Sequence, residues 1–577
     1  MTETLLPTLL TILITTALLF LIYLSLPKPL PGSRIPYNHA STRRVLGDLP
    51  ALITHYCETG DLASFVSEQC RKLGSPVAQL FLWPVTAGRR PVVVVDDVRE
   101  VEDLAVRRTG EFASSSGGGG LGLHPMVLDA GRTACRGWWE EVMKPEVLRK
   151  AVAEKVQRCA EELVTLWKKK CELSRGRPFD AREDVVVASM EAVWAALMGE
   201  RGADGLRDEI ASVKVHRAGQ DAEEWEEDYG SDDLDQPVWF RGASRSVLYR
   251  AVEYFSGSSA SVVWALFPGL RRLLLWLMPQ YRAYKLVKNR EIGKAVTEAR
   301  KRVEKSKGED GPAATKDNDT CAVDFVLRNE IIPQAKSEKS ASKLNDRTLR
   351  DEFSMFLISA HQTTAALLLW TVKLLTNNQP QQSRLRDSLR AAFPSIPPTS
   401  DPSAEDILTA SIPYLDATLE EILRLANPVP LLSRTAVVDT TILGFPIPKG
   451  TQVLCSTDFK RDPVVEVAEE KRSESSRAAG QGLVAKGLDQ FMPERWIKVD
   501  MDGKRTFDPA ALPRLSFGVE ERRCPGRELA IQQLRIFLVL LVWNFQLDTI
   551  PDALNSQLME GGILRRPQQC FVRLERI

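Results

Sequence analysis

Phe517-Gly-Val-Glu-Glu-Arg-Arg-Cys-Pro-Gly526 is the stretch that decides how this 577-residue chain is read. It is rich in turn formers and delivers Cys524 just ahead of an apolar segment that predicts a helix from about Arg527 to Asn544. Backbone N–H groups at a helix start, with Arg522 and Arg523 alongside, favour thiolate over thiol. One thiolate with no second soft ligand nearby cannot hold zinc or an iron–sulfur cluster. It can supply the single axial bond that a haem iron takes. A lone cysteine before a helix is otherwise usually inert, so the reading needs support from other residues.

Working outward, Phe491-Met-Pro-Glu-Arg-Trp496 precedes the cysteine loop, and Glu421-Ile-Leu-Arg424 precedes both. Pro413 opens a predicted helix there, with Leu415, Leu419 and Ile422 as its buried stripe, and a Glu and an Arg three residues apart meet on one helix face. Such pairs are common on surfaces. Further upstream a long helix is predicted from about Thr348 to Leu375, capped by Asn345 and ended by Asn377, Asn378 and Pro380. From Phe353 to Trp370 it is apolar on nearly all faces, which marks a buried helix. Its centre holds Ser359-Ala-His-Gln-Thr-Thr364. A polar cluster there is costly in lipid and in a protein core needs partners, water or a ligand. The plain alternative is hydroxyls bonded back to carbonyls one turn earlier.

Composition excludes other classes. Lys+Arg and Asp+Glu are both 76, so the basic excess of a general nucleic-acid binder is missing, and 44% hydrophobic residues exclude wholesale disorder. The nine cysteines are scattered, odd in number and without a Cys-x-x-Cys pair, which fits a reducing compartment. The five histidines are far apart, against a His-rich zinc site. Leu5 to Leu26 runs without a charge and is long enough to cross a bilayer core; Lys28, Arg34, Arg43 and Arg44 follow it, placing the body on the cytosolic side. Pro27 to Gly32 reads as a stiff spacer. Val77–Leu82 and Val92–Val95 flank Ala87-Gly88 as a small hairpin. Residues 147–200 carry helical periodicity. Val262 to Met278 reads as a helix pair dipping into a membrane interface, or as a core helix. Asp221–Asp235, Lys305–Asn318 and Glu466–Gly482 read as polar loops.

Taken together, the cysteine loop, the Glu-x-x-Arg helix, the Pro-Glu-Arg segment and the long helix resemble the cytochrome P450 family, the haem-thiolate monooxygenases. Phe517, Arg522, Cys524 and Gly526 match the family's Phe-x-x-Gly-x-Arg-x-Cys-x-Gly, with Glu520 where the pattern has glycine. The resemblance implies a mainly α fold with small β-sheets behind an N-terminal transmembrane helix: anchor 1–27, Pro-rich hinge 28–45, catalytic domain 46–577. It implies haem b with Cys524 as axial ligand, contacts to the haem from Arg522, Phe517 and Gly526, and a buried network of Glu421, Arg424 and Arg495. Thr363 falls at the hydroxyl position that organises protons and water at bound dioxygen, and Gln362 stands where the family has an acid; an amide does not titrate near neutrality. Arg136-Gly-Trp-Trp139 resembles the propionate-contacting helix, with Trp138 or Trp139 as indole donor. Pro36-Tyr37-Asn38 and Leu46-Gly-Asp48 look like membrane-bound fungal members of secondary-metabolite pathways.

The implied activity is insertion of one oxygen atom from dioxygen into an apolar small molecule. Electrons come from NADPH through a separate reductase, with cytochrome b5 as a second donor, because the chain carries no dinucleotide fingerprint. Arg514, Arg522, Arg523 and Arg527 make a basic landing surface for that partner, diluted by Glu520, Glu521 and Glu528. The implied location is the endoplasmic reticulum membrane, single-pass, facing the cytosol. Two other readings stay open at this point: a haem-thiolate isomerase or dehydratase working without reductase, which Gln362 keeps alive, and a non-catalytic membrane-tethered haem-binding protein.

Overall fold

In the computed structural model, the described residues are 16, 20, 23, 25–82, 90–114, 139–199, 205–218, 233–240, 245–263, 268–309, 321–334, 346–460, 466–480, 487–518, 523–560 and 564–577. The expected anchor falls almost wholly outside them, as do the Ala87-Gly88 turn, Asn345, Trp138 and Arg522. The chain divides into two units, the first formed by Met1–Pro125, Val429–Asp489 and Gly518–Arg522, the second by the rest.

The first unit is built on a five-stranded sheet in the order Val77–Leu80, Val92–Val95, Gln452–Ser456, Leu431–Ala436, Phe112–Ser114. Val77 pairs with Val95 antiparallel, and Val93 pairs with Val453 parallel. A strand of four consecutive valines, each buried, needs cover on both faces, and helix Leu62–Lys72 packs against it. The Pro-rich stretch is tied to this sheet: Leu30 N–H donates to Gln79 Oε1 at 2.8 Å, and Gln79 Nε2 donates to Ile35 O at 3.0 Å. Gly47, at φ +54°, has no room for a side chain, since a Cβ would lie 2.2 Å from Phe81 O. That close approach lets Asp48 Oδ2 accept from Phe81 N–H at 2.8 Å. Thr440–Ile442 and Phe445–Ile447 form a hairpin whose Leu443 and Gly444 both have positive φ, the backbone of a type I′ turn. Glu466–Gly482, expected as a polar loop, is in part a folded piece with helix Glu474–Ala478. Arg472 clamps both oxygens of Asp97 at 2.9 and 3.0 Å, and Arg99 pairs with Glu469. Those long-range ion pairs are invisible in local composition.

The second unit is helical. Asp346–Asn377 is its central helix and packs on Arg182–Met198, Pro279–Glu309, Pro413–Ala426, Arg527–Asn544 and Val247–Val263. The expected periodic stretch 147–200 resolves into helices Pro145–Ala151, Ala153–Ser174 and Arg182–Met198. Arg527–Asn544 is apolar and buried through its second half, with Leu534, Ile536, Leu538 and Leu540 fully buried, so it is a core helix. Pro413 sits in the first turn of its helix, and Asn427 at φ +26° ends it, followed by Pro428. Phe545–Asp548, Phe571–Arg576 and Phe179–Asp180 make a three-stranded sheet, and Met559–Glu560 pairs with Arg566–Pro567. Lys305–Asn318 differs from the expected loop in that helix Pro279–Glu309 continues through its first residues. Among the described residues one helix is long and apolar enough to cross a membrane, Arg347–Asn377, and it is mostly buried in the protein.

Candidate functional site

The cysteine loop closes on itself. Cys524 N–H donates to Phe517 O at 2.8 Å, and Arg527 N–H donates to Cys524 O at 3.3 Å, so the loop hands directly into helix Arg527–Asn544. Ser516 Oγ donates to Leu423 O at 3.0 Å, fastening the loop to the Glu421 helix. The Arg527 guanidinium lies 5.9 Å from the Phe517 ring centroid. The Cys524 thiol keeps exposed surface, yet protein surrounds it closely enough that desolvation raises its pKa, with the Gly526 N–H working in the opposite direction. This reverses the expected direction: loss of water around the sulfur outweighs the helix start, and the protein alone holds a thiol, which coordination to a metal would deprotonate.

At Gly526 a Cβ would meet Phe356 Cζ at 3.2 Å and Cys524 Sγ at 3.8 Å. A larger residue would crowd both the sulfur and an aromatic ring of the central helix. Phe356 in turn stacks on Trp139, ring centroids 4.2 Å apart, and Phe353 meets the same indole edge-on at 5.3 Å. Trp139 is thus a buried packing residue joining residues 139–142 to the central helix. Among the described residues no three His, Cys, Asp or Glu side chains cluster as metal ligands. The donor set on offer is a single sulfur.

Glu421, Arg424 and Arg495 meet. Glu421 is fully buried and accepts from Arg424 Nε and Nη2 at 2.8 Å each, from Arg495 Nε at 3.0 Å, from Met492 N–H at 3.0 Å and from Trp496 Nε1 at 2.9 Å. Trp496 was not singled out from sequence, although it directly follows Arg495. Its indole completes the carboxylate's coordination by donors, which is what allows a charge at zero exposure.

On the central helix, Thr363 Oγ1 donates to Ser359 O at 2.9 Å, with Ala360 O at 3.2 Å, so its hydroxyl is bonded back along its own helix. Gln362 is buried and fully engaged: Nε2 donates to Glu253 Oε1 at 2.6 Å, and Oε1 accepts from Arg566 Nη1 at 3.2 Å. Arg566 also pairs with Glu560 at 2.8 Å. His361, with no exposure, has Nδ1 3.0 Å from Leu357 O and Nε2 3.2 Å from Glu253 Oε1, while its own carbonyl accepts from Ser189 Oγ at 2.9 Å. For Glu253, desolvation pushes the carboxyl up, but His361, Arg566 and Gln362 together hold it below its ordinary value. Glu253, His361 and Arg566 were not assigned from sequence. The usable signal was that Glu253 is the lone acid of helix Val247–Val263.

The cytochrome P450 family model matches residues 138–463 and 489–574. The chain is a cytochrome P450. It is 29% identical to cytochrome P450 monooxygenase GME11363 of Pestalotiopsis microspora, over 97% of this chain and 96% of that protein. It is also 29% identical to cytochrome P450 monooxygenase TRI13 of Fusarium sporotrichioides, over 97% of each. In structure it resembles a crystal structure of a cytochrome P450 (CYP102L1) with TM-score 0.63 and 17% identity, covering 96% of this chain and all of that one. The mainly α fold with small sheets is that of the family. As a P450 monooxygenase the protein is an oxidoreductase, and membership implies haem held by a cysteine thiolate. The single sulfur donor, with Gly526 leaving space beside it, fits that requirement. Family members generally act on small molecules and need a redox partner. Of the four arginines expected to form its landing surface, Arg514 is paired with Glu420 and Arg527 with Glu528, Arg523 is exposed, and Arg522 lies outside the described residues.

Proposed function

We propose that Cys524 is the axial haem ligand of a membrane-tethered monooxygenase that places one oxygen atom of dioxygen into an apolar small molecule, an intermediate of fungal secondary metabolism. The observation that carries this reading is the Cys524 sulfur, set at the start of a buried helix by the Phe517 bond, with Gly526 and the Phe356 ring beside it. Bound haem supplies the oxygen-activating chemistry, and thiolate donation favours O–O cleavage. The chain's own residues do the rest. Gly526 leaves room beside the sulfur, Phe517, Arg522 and Trp139 would help hold the haem, and Trp139 also stacks on Phe356. Glu421, Arg424 and Arg495 lock the helix to which Ser516 fastens the loop. Thr363 and Gln362 handle protons and water on the central helix.

Electrons from NADPH arrive through a separate reductase, with cytochrome b5 as a second donor; Arg514, Arg522, Arg523 and Arg527 would steer an acidic partner, and among the described ones Arg523 is exposed. We assign residues 1–27 to a single membrane anchor, 28–45 to the Pro-rich hinge and 46–577 to the catalytic body on the cytosolic face of the endoplasmic reticulum. Helix Pro268–Leu277 supports membrane contact, with Leu270, Leu273, Leu274 and Leu277 all exposed at helical spacing next to Trp276. A relative named for the Hps1-dma1 cluster of Dothistroma septosporum, 32% identical over 44% of this chain and 86% of its own, supports the pathway class.

The test is a reduced carbon-monoxide difference spectrum of the purified full chain. The thiolate-type Soret band is expected in the wild type and lost in Cys524→Ala. A folded wild type without that band overturns the ligand assignment.

A further inference from the structure

The proton count at His361 does not close for a neutral imidazole beside a bare carboxylate. Nδ1 faces the Leu357 carbonyl, which can only accept, so Nδ1 carries a hydrogen. In a neutral ring Nε2 is then a lone pair, yet it lies 3.2 Å from a carboxylate oxygen of Glu253. Two acceptors do not sit at that distance without a proton between them. Gln362 Nε2 donates to the same Glu253 oxygen, and Gln362 precedes Thr363 directly.

We propose that Glu253 and His361 jointly hold a proton beside Gln362 and Thr363, so that the acid missing from the central helix is supplied by the helix packed across it. This rests on the haem-thiolate reading above. The surroundings keep the proton in place. Arg566 is the other charge near Glu253, and its own partner Glu560 also binds Arg182. Tyr249, one turn earlier on Glu253's helix, stays a phenol, with Arg245 over its ring and Glu183 beyond. Lys288, from the neighbouring helix Pro279–Glu309, points at Phe255 instead. The Glu253 oxygen already accepts from Gln362 Nε2, so the proton between it and His361 is placed on the imidazole side. Both residues act through Gln362 and are positioning residues.

The pair matters where dioxygen is reduced. With reductase and no added substrate, NADPH, a proton and dioxygen give hydrogen peroxide and NADP⁺. Two NADPH, two protons and one dioxygen give two waters and two NADP⁺. Ready proton supply at Thr363 favours the second course.

The experiment uses full-length holoenzyme in detergent with ¹⁵N-labelled histidine. The reduced carbon-monoxide form is diamagnetic, and five histidines give a readable spectrum. The His361 signals are assigned by their loss in His361→Gln. At pH 7 the wild type is expected to show both ring nitrogens of His361 protonated, and Glu253→Gln the pattern of a neutral tautomer. The same variant is expected to raise peroxide formed per NADPH several-fold while keeping the thiolate-type spectrum. A neutral-tautomer pattern in the wild type overturns the proposal on its own, however the variant folds. So does a Glu253→Gln protein with unchanged peroxide yield. Loss of the thiolate-type band in the wild type instead strikes the haem assignment, and the nitrogen signals still decide the shared proton.

Discussion

Glu421 and Glu253 are both glutamates pulled into the helical unit, and the contrast between their partners separates architecture from chemistry. Glu421 has no exposure and is surrounded by two guanidinium groups, an indole N–H and a backbone N–H. None of those donors gives up its proton near neutrality, so the cluster is one fixed charge pattern and its task is to hold helix Pro413–Ala426 against residues 492–496. Glu253 keeps about a third of its side chain exposed, 30%, and its near partners are an imidazole and an amide. Imidazole is the side chain whose charge changes most readily near neutral pH. One carboxylate is placed to stay as it is, the other to share.

The largest effect expected from breaking this contrast is at Glu421. Glu421→Ala strands Arg424 and Arg495 without their anion in a dry interior, a loss of about 3–5 kcal/mol. Denaturant unfolding of the holoenzyme should show it as a lowered midpoint, together with loss of bound haem on purification. Glu253→Ala, by contrast, leaves Arg566 paired with Glu560 and should cost about 1 kcal/mol or less. Equal losses at the two sites would erase the distinction.

Next comes Thr363. Removing its hydroxyl in Thr363→Ala breaks only a bond to its own helix, so stability and the carbon-monoxide spectrum are expected to hold. The share of NADPH electrons ending as peroxide should rise by about tenfold, less than the roughly 10²–10⁴-fold that positioned proton transfer contributes to a rate. Normal coupling would mean that protons reach the site without this residue.

Gln362→Glu sharpens the comparison from the other side. Its carboxylate would stand where Gln362 now donates to Glu253 at 2.6 Å, and two carboxylates so close do not both ionise easily. Arg566 offsets part of the repulsion. The expected outcome is an upward shift, on the order of one pH unit, in the pH profile of peroxide yield. Replacing the missing acid at position 362 therefore adds a second acid to a site that already has one. An unshifted profile would place Glu253 out of contact with residue 362.

Which of these residues were legible in the sequence follows from how their contacts are coded. Cys524, Glu421, Arg424 and Arg495 belong to short motifs with fixed spacing, and Pro413 and the all-apolar 536–543 run mark their helices by local rules. Glu253 has no motif. Its partner lies 108 residues away, and pairing across helices depends on tertiary packing that no local period reports. The clue was a lone acid in one apolar helix and a lone histidine in another, each costly unless the two meet. The Cys524 environment differs from the local reading for a related reason: the helix start is a local feature, whereas the desolvation that raises the thiol depends on tertiary packing. The Glu466–Gly482 segment reads as a polar loop from composition because its order comes from Asp97 and Arg99, far away in sequence.

The smallest expected effect is the acid limb of stability. The Glu253 carboxyl lies below its ordinary 4.5 in the folded chain, so in the interval between the two values the unfolded chain binds more protons than the folded one. The stabilisation from this ionised group is complete above 4.5 and drains away as pH falls through the lower folded value. Because the side chain is part-exposed, water screens the interaction and the amount is under about 1 kcal/mol. Below about pH 5 the difference in unfolding free energy between the wild type and Glu253→Gln should shrink as pH falls. A difference that grew on acidification would mean that Glu253 is easier to protonate folded than unfolded. The shared proton would then sit on the carboxyl, leaving the Glu253 site without the ionised group that distinguishes it from a neutral hydrogen-bonding acid.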